Sequence, residues 1–326
     1  MIANRRRARL AAAGLTLAMA SLGCSRAALH AVTGGPADGA AESMTDGGAG
    51  DGDGDDALAG SPGCRKAALA PGDFNRSVQV GSASRTYVLH VPPGFDGTRP
   101  VPLVVDFHGI GATGAGERAM SPYPAVLDPA GVVMAFPDGL RGPAGTAWNV
   151  GPCCVANVDD IAFARALVTD AGAAACLDLD RVYAVGVLTG GGMAHFVACH
   201  AADVYAAVAP AAFDLLGENV DDCVPGRGIT EISFRGTADQ KVPYAGGPSS
   251  MVPGMPLTFL GAEGTFAKWA EIDGCAGTPS GPDGSGCARY GSCRDGAEVI
   301  LCTKRDGGGD PGDPAVAWPV LMRHTR

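Results

Sequence analysis

One stretch, Asp180-Arg-Val-Tyr-Ala-Val-Gly-Val-Leu-Thr-Gly-Gly-Gly-Met193, constrains the fold more than any other. An apolar run of strand length passes without a spacer into glycines that open a helix. The chain must therefore turn sharply at the carboxyl end of a sheet. The pattern has the form G-x-S-x-G of a nucleophile elbow, in which small residues two before and two after the central residue let the backbones approach. Gly186 and Gly190 fill the small positions, and Leu188 stands where serine would. Leucine cannot attack a carbonyl, so the stretch speaks for architecture and leaves the chemistry open.

The chain has 326 residues, 46% of them hydrophobic, enough for one catalytic-size core. Its formal charge is −10, and no basic run follows Arg5–Arg9, which argues against a nucleic-acid partner. Eleven cysteines suit an oxidising compartment. Residues 1–24 read as an export signal: an arginine cluster, an apolar run from Leu10 to Leu22, then Gly23-Cys24 as a lipobox-like end with Cys24 as the expected lipidation site. Ten cysteines then remain for pairing. Cleavage and simple secretion is the alternative. Residues 25–63, rich in Gly, Ala and Asp, offer little to bury and read as a tether. Within them Asp51–Asp56 imitates a calcium loop, but Asp56 and Pro62 stand where glycine and glutamate are required.

From Cys64 onward the chain alternates strands and helices. Ser77–Val80 and Arg85–Val91 read as a hairpin around Gly81–Ser84. Val101–Phe107, ending in His108-Gly109, and Val132–Phe136, ending in Pro137-Asp-Gly139, are apolar throughout, as strands covered on both faces require. Asn157–Val168 reads as a helix with Ile161, Ala164, Leu167 and Val168 on its buried face, and Asp159 and Asp160 suit its N-terminus. Strands follow at Arg181–Val185, Ala206–Pro210, Ile229–Phe234 and Glu298–Cys302, with helices after the elbow and around Thr265–Ile272. No closing helix is expected after Asp306.

The ordered set R-x-Y-x-L-x-V-P, strand-HG, P-D-G, W-N, C-C, V-D-D-x-x-F, D-R-V-Y-A-x-G, the elbow, A-V-A-P and G-T-A-D-x-x-V-P-Y, from Arg85 to Cys302, resembles the secreted polyhydroxybutyrate depolymerase and feruloyl or acetylxylan esterase group. The resemblance implies a disulfide-rich α/β-hydrolase fold, with a mostly parallel central sheet and helices on both faces, and a triad in the order Ser, Asp, His. Asp239 matches the acid of G-T-A-D, and His108, Gly109 and Gly190 match the oxyanion region. Arg235 replaces the usual histidine before G-T-A-D. The serine position is Leu188. The histidine loop G-G-G-H-x-W-P reads Gly307-Gly-Gly-Asp310, with Trp318-Pro319 displaced, and His324 is the only histidine after Asp239.

Substitute chemistry is weighed against plainer readings. Thr189 as nucleophile would need a β-branched residue in a strained turn and a base beside it. His324 reads as a solvated tail residue. His195 and His200 lie about 140° apart on a helix and share no face, so no metal is expected. Cys153 and Cys154 read as partners of two separate cysteines. Gly109-x-Gly111-x-x-Gly114 with Asp138 imitates a dinucleotide site, but Pro122, Pro124 and Pro129 break the helix it needs. The expectation is an exported, lipid-anchored homologue without cofactor. It has either lost hydrolysis while keeping a cleft for a polysaccharide, aromatic ester or polyester, or it works as an esterase through Thr189.

Overall fold

The computed structural model describes residues 60–326; the export signal, Cys24 and most of the tether lie outside them. The strands are β1 Gly72–Val80, β2 Ala83–Val91, β3 Val101–Phe107, β4 Val133–Pro137, β5 Leu140–Gly142, β6 Gly145–Ala147, β7 Leu177–Val187, β8 Ala207–Ala211, β9 Thr230–Gly236, β10 Gly247–Val252, β11 Met255–Phe259, β12 Cys287–Tyr290 and β13 Val299–Lys304. The α-helices are α1 Gly114–Met120, α2 Tyr123–Leu127, α3 Asp160–Ala174, α4 Thr189–His200, α5 Ala262–Ile272 and α6 Pro314–Leu321.

Among the described residues, nine strands form one sheet in the order β1-β2-β4-β3-β7-β8-β9-β13-β12. It is parallel from β4 to β13 and antiparallel at its margins. Alternation along the strands divides the core. Leu103, Val105, Val182, Ala184 and Val208 face α3, α4 and α5 through Phe163, Leu167, Val197 and Trp269. Val104, Tyr183, Val185, Ala207 and Ile232 face α2 and α6 through Leu127, Ala317, Val320 and Leu321. Both faces are covered, as buried parallel strands require.

Four expectations are corrected. A closing helix exists: Asp313 caps α6 by accepting from Ala315 N–H, Pro314 suits its first turn, and Ala317, Val320 and Leu321 seal the sheet. Order begins before Cys64, since Ser61 is buried, its hydroxyl donating to Ala175 O and accepting from Leu177 N–H. Cys153 and Cys154 pair with each other, beside Cys64–Cys176, Cys199–Cys223, Cys275–Cys293 and Cys287–Cys302. Asp159 caps α3, but Asp160 is buried against Arg85 at 2.7 Å rather than serving the helix start. The crossover between β3 and β4 is two short helices broken at Ser121-Pro122, and Asp138 is occupied by Gly114 N–H and the Thr86 hydroxyl.

Candidate active site at the elbow

Leu188 stands at the turn from β7 to α4 with φ 53° and ψ −124°, a conformation that a bulky L-residue adopts only when its surroundings impose it. Those surroundings are backbone. A Cβ on Gly190 would overlap the Phe107 carbonyl, and one on Gly186 would overlap Gly190. Leu188 N–H donates to Ala211 O at 3.0 Å and Leu188 O accepts from Gly192 N–H. Its side chain is half-exposed above the carboxyl ends of the strands.

The loop after β3 lies over this turn; a Cβ on Gly109 would stand 3.5 Å from Leu188 Cβ. His108 is buried and fixes that loop. Its Nε2 accepts from Gly139 N–H at 2.9 Å, which leaves the proton on Nδ1 to donate to Gly109 O at 2.7 Å. Burial lowers its pKa and keeps it neutral. Trp148 Nε1 donates to His108 O at 2.9 Å. Asn149, next in the chain, donates its N–H to Asp160 and its amide to Val158 O. The P-D-G, W-N and V-D-D motifs thus converge on one task, which is bracing the loop beside Leu188. Nothing in the sequence beyond their ordered spacing points to this role for Trp148, Asn149 and Asp160.

Asp239 lies on the loop after β9, 7% exposed. Its Oδ1 accepts from Lys241 N–H at 2.9 Å and Val242 N–H at 3.0 Å. Its Oδ2 has no hydrogen-bond partner among the described residues. Arg235 braces the same loop: it donates to Val242 O at 2.7 Å and pairs with fully buried Asp214. Burial pushes the Asp214 carboxyl up to about 6, against the pull of Arg235.

The histidine loop differs from expectation in register. Asp310 turns away to Lys304 and accepts from Gly312 N–H. Gly309 faces the site instead. A Cβ on Gly309 would stand 3.5 Å from Leu188 Cδ2, 3.8 Å from Asp239 Oδ2 and 3.8 Å from Ala212 Cβ. A side chain there would reach both the elbow residue and the free carboxyl oxygen. Three consecutive glycines gave the sequence no means of showing which one does.

The remaining histidines are elsewhere. His324 lies towards the amino ends of the strands, its carbonyl accepting from Tyr183 OH and its ring 3.8 Å from Glu298. It is half-buried rather than solvated, and burial lowers its pKa. His195 Nδ1 accepts from Trp269 Nε1 at 3.0 Å, and burial drives its pKa down to about 3. Its 4.0 Å approach to Glu231, itself pushed up to about 8 by burial, therefore joins two neutral groups. His200 packs edge-on to Phe196. Thr189 is fully buried, its hydroxyl pointing away from solvent without a partner among the described residues, so the substitute-nucleophile reading loses its access. With Leu188 at the apex the next residue is Thr189, which opens α4, and Gly190 follows it.

A parallel sheet with helices on both faces, a strained elbow after β7 and an acid-bearing loop after β9 define an α/β-hydrolase. Acetyl xylan esterase from Aspergillus awamori shares this fold, with a TM-score of 0.54, 14% identity, and coverage of 76% of this chain and 99% of that one. In sequence the chain is 42% identical over 245 residues to feruloyl esterase B of Piromyces equi, covering 74% of this chain and 45% of that protein, so it spans about half the length of that relative. It is 23% identical over 290 residues to feruloyl esterase D of Neurospora crassa, covering 82% and 91%. No protein-family model matches the chain. The chain has the α/β-hydrolase fold and is similar in sequence to feruloyl esterases.

Proposed function

We propose that this chain is a non-hydrolytic member of the esterase family that keeps the cleft for binding an ester- or carbohydrate-type ligand. The observation that carries this reading is the pairing of Leu188 at the elbow apex with Gly309 opposite Asp239. Asp239 takes the acid position, and the N–H groups of Thr189 and the Gly109 loop take the oxyanion position. Leucine at the nucleophile position cannot attack, and glycine opposite Asp239 brings no base. Members of a triad act as a unit, so loss of two removes most of the rate. Five disulfides fit an oxidising, extracellular setting. Cys24 would hold the domain to a cell envelope by a lipid, and the substrate class of feruloyl or acetylxylan esterases names the ligand chemistry to try first.

The test is fluorophosphonate labelling of the purified chain, with the modified residue located by mass spectrometry, alongside turnover of 4-nitrophenyl acetate. No label and no turnover above buffer are expected. A stoichiometric label at Thr189, or at any residue of the elbow, would overturn the reading.

A further inference from the structure

We propose that a groove separate from the elbow, between residues 282–286, the end of β13 and residues 310–316, binds a neutral saccharide of the β-linked pyranose class. The assignment goes beyond the reading of the elbow and stands whether or not the elbow hydrolyses.

The groove has a volume of about 720 Å³, within the range of small-molecule sites, and Leu188, Thr189 and Asp239 take no part in its lining. Its walls are braced before any ligand enters. The Cys287–Cys302 disulfide ties β12 to β13, and Thr303 N–H donates to Gly286 O at 3.0 Å. Asp283 Oδ1 accepts from Ser285 N–H at 2.8 Å and from Cys287 N–H at 3.1 Å. On the opposite wall a Cβ on Gly312 would stand 3.0 Å from Phe234 Cδ2, so the chain packs directly on that ring, and Lys304 pairs with Asp310. Walls held in this way lose little freedom on binding.

The lining offers two kinds of surface. Phe234, Pro282, Pro314 and Val316 supply apolar carbon, and Asp283, Ser285, Arg305 and Asp313 supply polar groups beside it. The Ser285 and Arg305 side chains are exposed and have no hydrogen-bond or ion-pair partner among the described residues. Asp283 and Asp313 each commit Oδ1 to backbone N–H groups and leave Oδ2 to accept. The charges nearly cancel, Lys304 and Arg305 against Asp283, Asp310 and Asp313, so neither a polyanion nor a polycation is selected. Donors and acceptors side by side over apolar carbon match a ligand whose hydroxyls both give and accept while its ring faces are apolar. A β-linked pyranose has that form, with equatorial hydroxyls around its edge and C–H groups on both faces. The carboxylates then accept from hydroxyls and Arg305 donates to them, in charge-assisted bonds.

The probe is cellobiose, titrated into the isotope-labelled chain and followed by amide resonances. Saturable shifts confined to residues 282–286, 302–305 and 310–316 are expected, with a dissociation constant on the order of 1 mM for an open groove. Arg305→Ala and Ser285→Ala change exposed side chains, so neither puts folding at stake. Arg305→Ala is expected to weaken binding roughly tenfold and Ser285→Ala about threefold, the loss of a charge-assisted and of a neutral hydrogen bond. The anionic counterpart cellobiouronate and the cationic β-linked glucosamine disaccharide should bind no tighter than cellobiose. Absence of saturable shifts would overturn the proposal, as would unchanged affinity in Arg305→Ala or a preference for either charged disaccharide. Shifts at residues 187–190 and 237–242 instead would place the saccharide at the elbow, which supports the reading of that site and removes this one.

Discussion

The elbow and the loop after β13 meet where Gly309 approaches Leu188, yet one is fixed by backbone contact and the other is not. At the elbow, Gly186 and Gly190 sit where any Cβ would strike the Phe107 carbonyl or the helix backbone, and Leu188 still holds φ 53°. At the loop, Gly309 has ordinary van der Waals room for a Cβ. The frame of the site is thus fixed by packing that the whole sheet depends on, while the side chains of the chemistry hang from positions that packing does not police. A chain with leucine at the elbow apex and glycine opposite Asp239 still takes the α/β-hydrolase fold.

The same substitution at the two places should expose this difference. Gly190→Ala is expected to prevent folding or to cost more than about 5 kcal/mol, because backbone rather than a mobile side chain stands in the way. Gly309→Ala should be neutral or stabilise by about 0.4–1 kcal/mol, chiefly by restricting the unfolded chain. Urea unfolding of the two variants measures both, and a Gly190→Ala chain as stable as wild type would remove the basis of the contrast.

The acid side of the cleft should lie between these extremes. Arg235→Leu leaves Asp214 buried without its partner and is expected to cost about 3–5 kcal/mol. It also removes the donor to Val242 O, so the Asp239 loop should lose amide-exchange protection first. A loss spread evenly over the domain would show that the pair serves general stability and not this loop.

A smaller effect follows from acids buried beneath the site. Burial pushes Glu231 and Asp106 up to about 8, from unfolded values of 4.5 and 3.8. Between pH 6.5 and 8 the folded chain therefore holds protons that the unfolded chain has released, and stability should fall as pH rises, by at most about 1.4 kcal/mol per pH unit for each group. Below pH 6.5 the lowered pKa values of His195, His108, His200 and His324 oppose this, since the unfolded chain then binds the extra protons. Melting temperatures across pH 6.5–8 should decline for wild type and decline less for Glu231→Gln; a flat wild-type profile would contradict the assignment.

What the sequence made legible follows the same division. The β3, β4 and β7 strands announced themselves as apolar runs, and the elbow as two glycines at a spacing that only close backbones need. The closing helix α6 was hidden by Pro314 and Pro319 and by the Asp-Pro-Gly-Asp stretch before it, although Pro314 belongs at a helix start and Pro319 is accommodated inside. Strand β12, four residues long, is too short to show a period. At the site, Asp239 stands out from the residues around it, whereas a run of three glycines carries no direction along the loop that follows β13. Only the fold shows that Gly309 looks at Asp239 while Asp310 looks at Lys304.

The measurement that tests this placement most directly is the rate of 4-nitrophenyl acetate hydrolysis in four variants: Leu188→Ser, Gly309→His, Leu188→Ser with Gly309→His, and Leu188→Ser with Asp310→His. Removing the leucine tip makes room beside Gly309, and in the proposed reading Asp239 and the N–H groups of Thr189 and the Gly109 loop complete the constellation. The Leu188→Ser/Gly309→His chain is expected to hydrolyse the ester at least about 100-fold faster than either single variant, as a hydroxyl gains a base only when both are present. Equal rates in the two double variants, or recovery only with histidine at 310, would contradict the placement of the base at 309.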